Sequence, residues 1–164
     1  MTSEQSPLPL EIVEYDSFAR GYNCKMPYHN HPKGCPNFPK CIKDRPDFKT
    51  IALSYQWFAV IEEFDLKKHA EKMKTKLPHW TDRQCRNPLY WQGGVRSRLL
   101  KKAKEVAGNN PENIILDIPE ACGVEVFETM AKIGIILERK PEMVKKVMLV
   151  GIRLLASEYL CQWR

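Results

Sequence analysis

Apolar residues along the chain predict strands at five places. Thr50 to Phe64 is rich in β-branched and aromatic residues, which favour a long strand. Leu10 to Tyr15 and Asn113 to Ile118 are shorter apolar segments that predict short strands. Two more strands are expected towards the end of the chain, at Ile135 to Leu137 and at Val144 to Leu154. We therefore expect these segments to form a sheet.

Three segments between these strands have the spacing of helices. The first has apolar residues at positions 66, 70, 73 and 77, and Pro78 ends it. The second has them at positions 95, 99, 103 and 106 and ends at Gly108. The third runs from Gly123 to Ile133. This order of elements predicts a single α/β domain over residues 1–164, with a mixed sheet and about three helices.

The composition is that of an ordinary globular domain. The 164 residues, 43% of them hydrophobic, suffice for one core. No apolar run approaches the roughly 20 residues that span a bilayer, and the N-terminus lacks the basic and apolar regions of a signal peptide. We therefore expect a cytoplasmic protein that does not enter membranes. The net charge of +6 permits an anionic partner, either a small molecule or a protein.

Residues 20–47 form a segment that we call the cysteine loop. It contains five prolines, two glycines and three of the six cysteines, namely Cys24, Cys35 and Cys41. Prolines at this density exclude a regular helix or a central strand. So long a loop is unusual in a compact domain unless something holds it, and thiols in a reducing compartment are frequent metal ligands. The cysteine loop therefore predicts a metal site.

The residues leave the identity of the metal open. An iron–sulfur cluster is favoured because Cys35 precedes a proline and the loop is irregular, and Cys85 is the best candidate for a fourth thiolate. Zinc is the alternative, with His29 or His31 as the fourth ligand, although the usual close pairing of zinc cysteines is absent. The simplest alternative is that the cysteines are small buried apolar residues.

Three motifs are informative together, namely Pro119 to Thr129 (PEACGVEVFET), the Cys35–Pro36 step and Cys85 to Pro88 (CRNP). In these motifs the sequence resembles a prokaryotic family of predicted metal-binding proteins that share a domain of unknown function, and the resemblance covers roughly residues 20–152. It implies metal binding and no particular reaction. The family has further cysteines before the position of Cys85, and this chain lacks them, so a complete second cluster is not expected.

Two further groups of residues are candidates for binding or chemistry. Cys122 precedes a glycine at a predicted helix start, where a thiolate is stabilised, and it is either a reactive cysteine, a buried core residue or a ligand. Arg83, Arg86 and Arg96 could hold a carboxylate or phosphate by bidentate contacts, or they could lie on a solvated helix start. The lysine-rich stretch after Arg96 has no recognised nucleic-acid motif, so nucleic acid is not expected as a partner.

These patterns lead to three hypotheses about function. The first is a protein that carries one iron–sulfur cluster and serves electron transfer, sulfur transfer or a redox-linked reaction. The second is a structural or interaction module that zinc stabilises. The third is an enzyme with an open metal position near a reactive Cys122.

Overall fold

The computed structural model describes residues 8–10, 13–17 and 45–155. Over this part of the chain the strands are β1 (Leu8–Leu10), β2 (Tyr55–Asp65), β3 (Ile114–Leu116) and β4 (Met143–Arg153). The α-helices are α1 (Phe48–Ile51), α2 (Leu66–Lys76), α3 (Asp82–Cys85), α4 (Gln92–Ala107) and α5 (Val126–Lys132). Short 3-10 helices lie at Ala52–Ser54, Pro88–Tyr90 and Pro119–Cys122. The α/β class is confirmed.

The four described strands form one sheet in the order β1-β2-β4-β3. Every pairing in this sheet is antiparallel, whereas the sequence analysis expected a mixed sheet. β2 and β4 pair along their whole length, from Tyr55 opposite Arg153 to Asp65 opposite Met143. β3 pairs only with residues 149–151 of β4, so residues 143–148 have a strand neighbour on one side only within the described chain.

The two faces of the sheet are covered by different elements. On one face, alternate residues of β2 such as Trp57 and Ala59 pack with Leu149 and with residues that follow β3, including Cys122 and Met130. The other face is covered by α4, because its apolar stripe meets the alternate set of strand residues. That cluster consists of Val60, Leu99, Ala103, Ala107, Met148 and Val150. The sheet therefore carries a core on each side, and α4 is fixed across β2 and β4.

Several predicted elements have different bounds in the described structure, and one is not formed there. Residues 50–54 do not join the long strand, because Asp47 accepts a hydrogen bond from Lys49 N and starts α1 instead. The indole of Trp57 then donates to Ala52 O at 2.8 Å, which fixes the short 3-10 turn before β2. The predicted strand at 135–137 is absent from the described structure, since Ile135 N bonds back to Met130 O and closes the end of α5.

The predicted helix from Gly123 to Ile133 is a 3-10 turn followed by a shorter helix. The 3-10 turn ends at Gly123, whose φ of +94° is left-handed, and α5 begins only at Val126. A Cβ on Gly123 would lie 2.5 Å from Cε2 of Tyr15, so glycine is required both for the backbone angle and for space. This position brings the N-terminal segment against the turn. No helix among the described residues is long and apolar enough to cross a membrane.

Candidate functional site

The 3-10 helix Pro119–Cys122, which we call the 119–122 turn, connects the sheet to α5. Pro119 begins it, and its fixed φ suits the first position of a helical turn. Gly123 N bonds to Glu120 O at 3.0 Å and Val124 N bonds to Pro119 O at 3.1 Å, which closes the turn. The turn follows β3 after only Asp117 and Ile118, so its position is set by the edge of the sheet.

Residues on both sides of the cysteine loop are attached to the 119–122 turn and its neighbours. Before the loop, Asp16 N donates to Gly123 O at 2.6 Å and Glu125 N donates to Glu14 O at 3.1 Å. At the end of the loop, Arg45 Nη1 donates to Asp117 Oδ1 at 2.8 Å, and Arg45 is only 9% exposed. Glu14, Asp16 and Arg45 are therefore all held by the stretch from Asp117 to Glu125.

A partly open cleft of about 1370 Å³ lies beside the 119–122 turn. It is lined by Trp91 and the first residues of α4, including Gln92 and Arg96. Asp117, Glu120 and residues 143–148 of β4, which β3 does not cover, also line it. Residues 136–142 line it as well, and we call them, together with Phe127 and Met143, the rim. The cleft exists because β3 is too short to cover the whole of β4.

Arg96, Glu120 and Lys146 are among the charged side chains that line this cleft. Burial raises the pKa of the Glu120 carboxyl above its ordinary value, and nearby Glu125 adds to this, while Lys146 and Arg96 act in the opposite direction. Burial likewise lowers the pKa of the Lys146 ammonium, although the attraction of Glu120 opposes this. Both groups are therefore displaced towards their uncharged forms.

The neighbouring acidic groups are already engaged by other cations. Glu62 lies opposite Lys146 in the β2–β4 register, but its two oxygens bind Arg98 Nε and Lys102 Nζ, each at 2.6 Å. Asp117 Oδ1 binds Arg45, and Asp117 Oδ2 is 3.9 Å from Arg96 Nη2, which is beyond hydrogen-bond range. Arg96 and Lys146 therefore keep donors that can face the cleft.

The arginines predicted from sequence are separated by the fold. Arg83 is exposed on α3. Arg86 is held by Asp82 at 2.9 Å and by Glu142 at 3.0 Å. Arg86 also lines the cleft, but its guanidinium is engaged by the carboxylates of Asp82 and Glu142. Of the three arginines, only Arg96 acts electrostatically on both Glu120 and Lys146. The structure thus brings one of the three predicted arginines to the charged part of the cleft.

The cysteines named from the sequence divide into two groups. Cys24, Cys35 and Cys41, with His29 and His31, lie outside the described residues. Cys85 at the end of α3 is 1% exposed, and Cys122 in the 119–122 turn is 0% exposed within the core on one face of the sheet. Within the described residues, no group of three or more His, Cys, Asp or Glu side chains is arranged to hold a metal ion.

Sequence reasoning missed Glu120 and Lys146 as members of the site. A signal for Lys146 is present in β4, where it interrupts an apolar stripe formed by Val144, Met148 and Val150. A lysine on an inward stripe requires either a partner or solvent. No comparable pattern marks Glu120, because only the turn after β3 directs it to the cleft.

Comparisons with known proteins do not assign this chain to a group: no family model, no curated protein and no solved structure matches it.

Proposed function

We propose that this protein binds a metal through the thiolates of Cys24, Cys35 and Cys41, with an iron–sulfur cluster as the favoured group. The cluster would serve electron transfer, sulfur transfer or a redox-linked reaction. A zinc-stabilised structural or interaction module, with His29 or His31 as a ligand, is the alternative. The proposal includes a cytoplasmic location, because reduced thiols are retained there.

The observation that carries this proposal is that residues before the cysteine loop and a residue near its end all bind the stretch 117–125. Glu14 and Asp16 bind the stretch from Gly123 to Glu125, and Arg45 binds Asp117. Fixing both ends lowers the entropic cost of ordering the intervening chain, and thiolates bonded to a metal would supply the remaining constraint. A proline-rich segment with few apolar residues is not expected from its sequence to order itself.

The family resemblance supports the same proposal. The motif from Pro119 to Thr129, which carries most of the resemblance, includes the 119–122 turn and the start of α5. Within the motif, Gly123 packs against the ring of Tyr15, and its carbonyl oxygen accepts a hydrogen bond from Asp16 N. Tyr15 and Asp16 both precede the cysteine loop. This chain and the family would therefore share the motif because its residues hold the segment that binds the metal.

Two cysteines compete for the place of a fourth ligand. Cys122 lies between Asp117, which binds Arg45, and Gly123, which binds Asp16. Cys85 lies in α3, next to Arg86, which is bound to Asp82 and Glu142. The attachment favours Cys122, whereas the family pattern favours Cys85. Because the Cys122 thiol is fully buried, we do not assign it the role of a nucleophile that meets substrate from solvent.

Metal analysis of the full-length protein, purified without oxygen, tests the proposal. Iron and sulfide in stoichiometric amount, with broad visible absorption, support the cluster, and stoichiometric zinc supports the alternative module. Changing Cys24, Cys35 or Cys41 to Ala should lower the metal content, whereas Cys161→Ala is the control that should retain it. A protein without stoichiometric metal contradicts both forms of the proposal.

Variants at the two buried cysteines identify the fourth ligand. Cys122→Ala and Cys85→Ala should be compared for metal content and for unfolding in urea. Loss of metal from only one folded variant assigns the ligand. Alkylation of the chelated protein provides a second measurement, because a thiol that packing alone buries stays protected after the metal is removed.

A further inference from the structure

We infer that the cleft beside the 119–122 turn binds a small organic carboxylate, with its head group between Arg96, Lys146 and Glu120 and its apolar body against the rim. This inference concerns residues outside the cysteine loop and does not depend on the proposed metal. It assigns a binding site and a class of ligand to the described part of the chain.

Lys146 is the first reason to expect a ligand. Its side chain starts from the face of β4 that carries Met148 and Val150, and it is partly buried. Lys146 forms no hydrogen bond or ion pair with any residue in the described ranges, since Glu62 across the strand pair is occupied by Arg98 and Lys102. Buried charged groups normally have partners, so an ammonium left beside a cleft favours an anionic ligand.

Arg96 supplies a second cation for the same ligand. Its guanidinium is 3.9 Å from Asp117 Oδ2, which is too long for a hydrogen bond, while Arg45 binds the other oxygen of Asp117 at 2.8 Å. The planar guanidinium therefore retains donors that fit the two oxygens of a carboxylate. Arg96 and Lys146 line the same cleft, and the positive charge of Arg96 helps to lower the pKa of the Lys146 ammonium.

Glu120 limits the charge of the ligand. It forms no ion pair with a described residue, and it lies close enough to both cations to influence them. An ionised Glu120 would repel a phosphate dianion more strongly than a monoanion. A protonated Glu120 would instead donate a hydrogen bond to a bound anion of either kind. The ionised state of Glu120 therefore favours a monocarboxylate over a phosphate dianion.

The rim of the cleft indicates the rest of the ligand. Phe127, Ile136 and Met143 are large apolar residues that are 42%, 66% and 45% exposed, and all three line this cleft. Apolar side chains grouped around polar head-group contacts are typical of sites for small organic molecules. An aryl or alkyl body would remove this apolar surface from water, which acetate alone cannot do.

Titration of the full-length protein followed by nitrogen–proton NMR correlation spectra tests the inference. The probes are phenylacetate and octanoate, with phenylacetamide, acetate and inorganic phosphate for comparison. We expect phenylacetate or octanoate to shift the amide signals of Glu120, Phe127 and Lys146. Phenylacetamide should bind at least about tenfold more weakly, which corresponds to about 1.4 kcal/mol.

Matched variants separate the head-group contacts from the apolar contacts. Lys146→Met and Arg96→Gln should each weaken phenylacetate binding about tenfold, whereas Lys104→Met, which removes an exposed lysine of α4, should not. Ile136→Ser should weaken phenylacetate binding and leave acetate binding unchanged. Thermal unfolding of each variant shows that it is folded, and Arg96→Gln provides the test if Lys146→Met does not fold.

Three results would overturn the inference. The first is the absence of binding by both phenylacetate and octanoate at millimolar concentration. The second is equal binding of phenylacetate and phenylacetamide, and the third is phosphate binding tighter than carboxylate binding with the same response to the variants. Because metal content is measured separately, failure of this inference leaves the proposed metal function standing, and the converse also holds.

Discussion

The ring of Tyr15 lies directly over Gly123, so that a Cβ at position 123 would be 2.5 Å from Tyr15 Cε2. This contact joins the N-terminal segment to the 119–122 turn, together with the Asp16 N to Gly123 O hydrogen bond. Glycine is therefore needed at position 123 for two separate reasons, which are its positive φ and the space that the ring occupies.

Gly123→Ala should lower the free energy of unfolding by about 2–4 kcal/mol, because it adds a steric clash to a strained backbone angle. Gly134→Ala is a matched control, since φ at Gly134 is +82° and a Cβ there would have no neighbouring atom within 4 Å. The control should cost only about 1 kcal/mol. Urea unfolding measures both values, and equal losses would contradict the Tyr15 contact.

The buried ion pair between Arg45 and Asp117 yields a second prediction. Arg45→Met should lower the free energy of unfolding by about 1–3 kcal/mol, because it leaves Asp117 without its closest cation. Lys132→Met is the comparison, since Lys132 and Glu14 form a more exposed pair worth about 0.5 kcal/mol. Denaturant unfolding of the two variants checks the difference.

The same substitution links the fold to the proposed metal site. If the Arg45–Asp117 contact holds the end of the cysteine loop, Arg45→Met should retain less metal than Lys132→Met after equal exposure to a chelator. A double-mutant cycle with Asp117→Asn should show that the effects of the two changes are not additive. Additive effects would mean that Arg45 acts through another contact.

The sequence predicted an element correctly where its local pattern of apolar residues determines it. It failed where capping or contacts with residues distant in sequence determine it. The 3.6-residue spacing identified α2 and α4, and the apolar content identified β2 and β4, because each of these elements buries a continuous stripe. Residues 50–54 were predicted wrongly as strand. Their composition favours a strand, but capping by Asp47 starts a helix there.

The candidate site was less predictable because residues distant in sequence form it. Arg96 was identified among polar neighbours, yet Arg83 and Arg86 from the same stretch face other partners or solvent. Glu120 and Lys146 meet Arg96 only because α4 crosses β4 and the turn after β3 lies at the open edge of that strand. Such a meeting depends on strand register and length, which local composition does not encode.

Glu62 gives a prediction about acid stability. Burial alone would raise the pKa of its carboxyl, but the hydrogen bonds from Lys102 and Arg98 outweigh this and hold the pKa below its ordinary value. The stability that Glu62 contributes is therefore present above its unfolded pKa and is lost as the pH falls through the lower folded value. Glu62→Gln should flatten this loss.

The measurement for Glu62 is the free energy of unfolding from neutral pH down to about pH 3, near and below the ordinary carboxyl pKa. Glu63→Gln is the matched control, because Glu63 is the exposed neighbour on the same strand. An unchanged acid slope in Glu62→Gln, or an equal change in the control, would show that the ion pairs with Arg98 and Lys102 are unimportant.

Glu120 should affect the pH dependence of stability in the opposite direction. Burial raises its pKa, so the folded protein binds a proton more tightly at Glu120 than the unfolded chain does. Its contribution is most favourable below the unfolded pKa and is lost as the pH rises through the higher folded value. Arg96, Lys146 and Glu125 are the charged groups that act on it, and Asp117, which binds Arg45, lines the same cleft.

Glu120→Gln should therefore unfold at a higher urea concentration than the original protein at neutral pH, and this advantage should shrink below about pH 4.5. The affinity of the same variant for phenylacetate should depend less on pH, because the carboxylate that repels the ligand has been removed. Since Glu62→Gln and Glu120→Gln change stability with pH in opposite directions, a general response to lost surface charge cannot produce both results. If Glu120→Gln is no more stable at neutral pH, then Glu120 is ionised in the folded protein without cost, which contradicts its raised pKa.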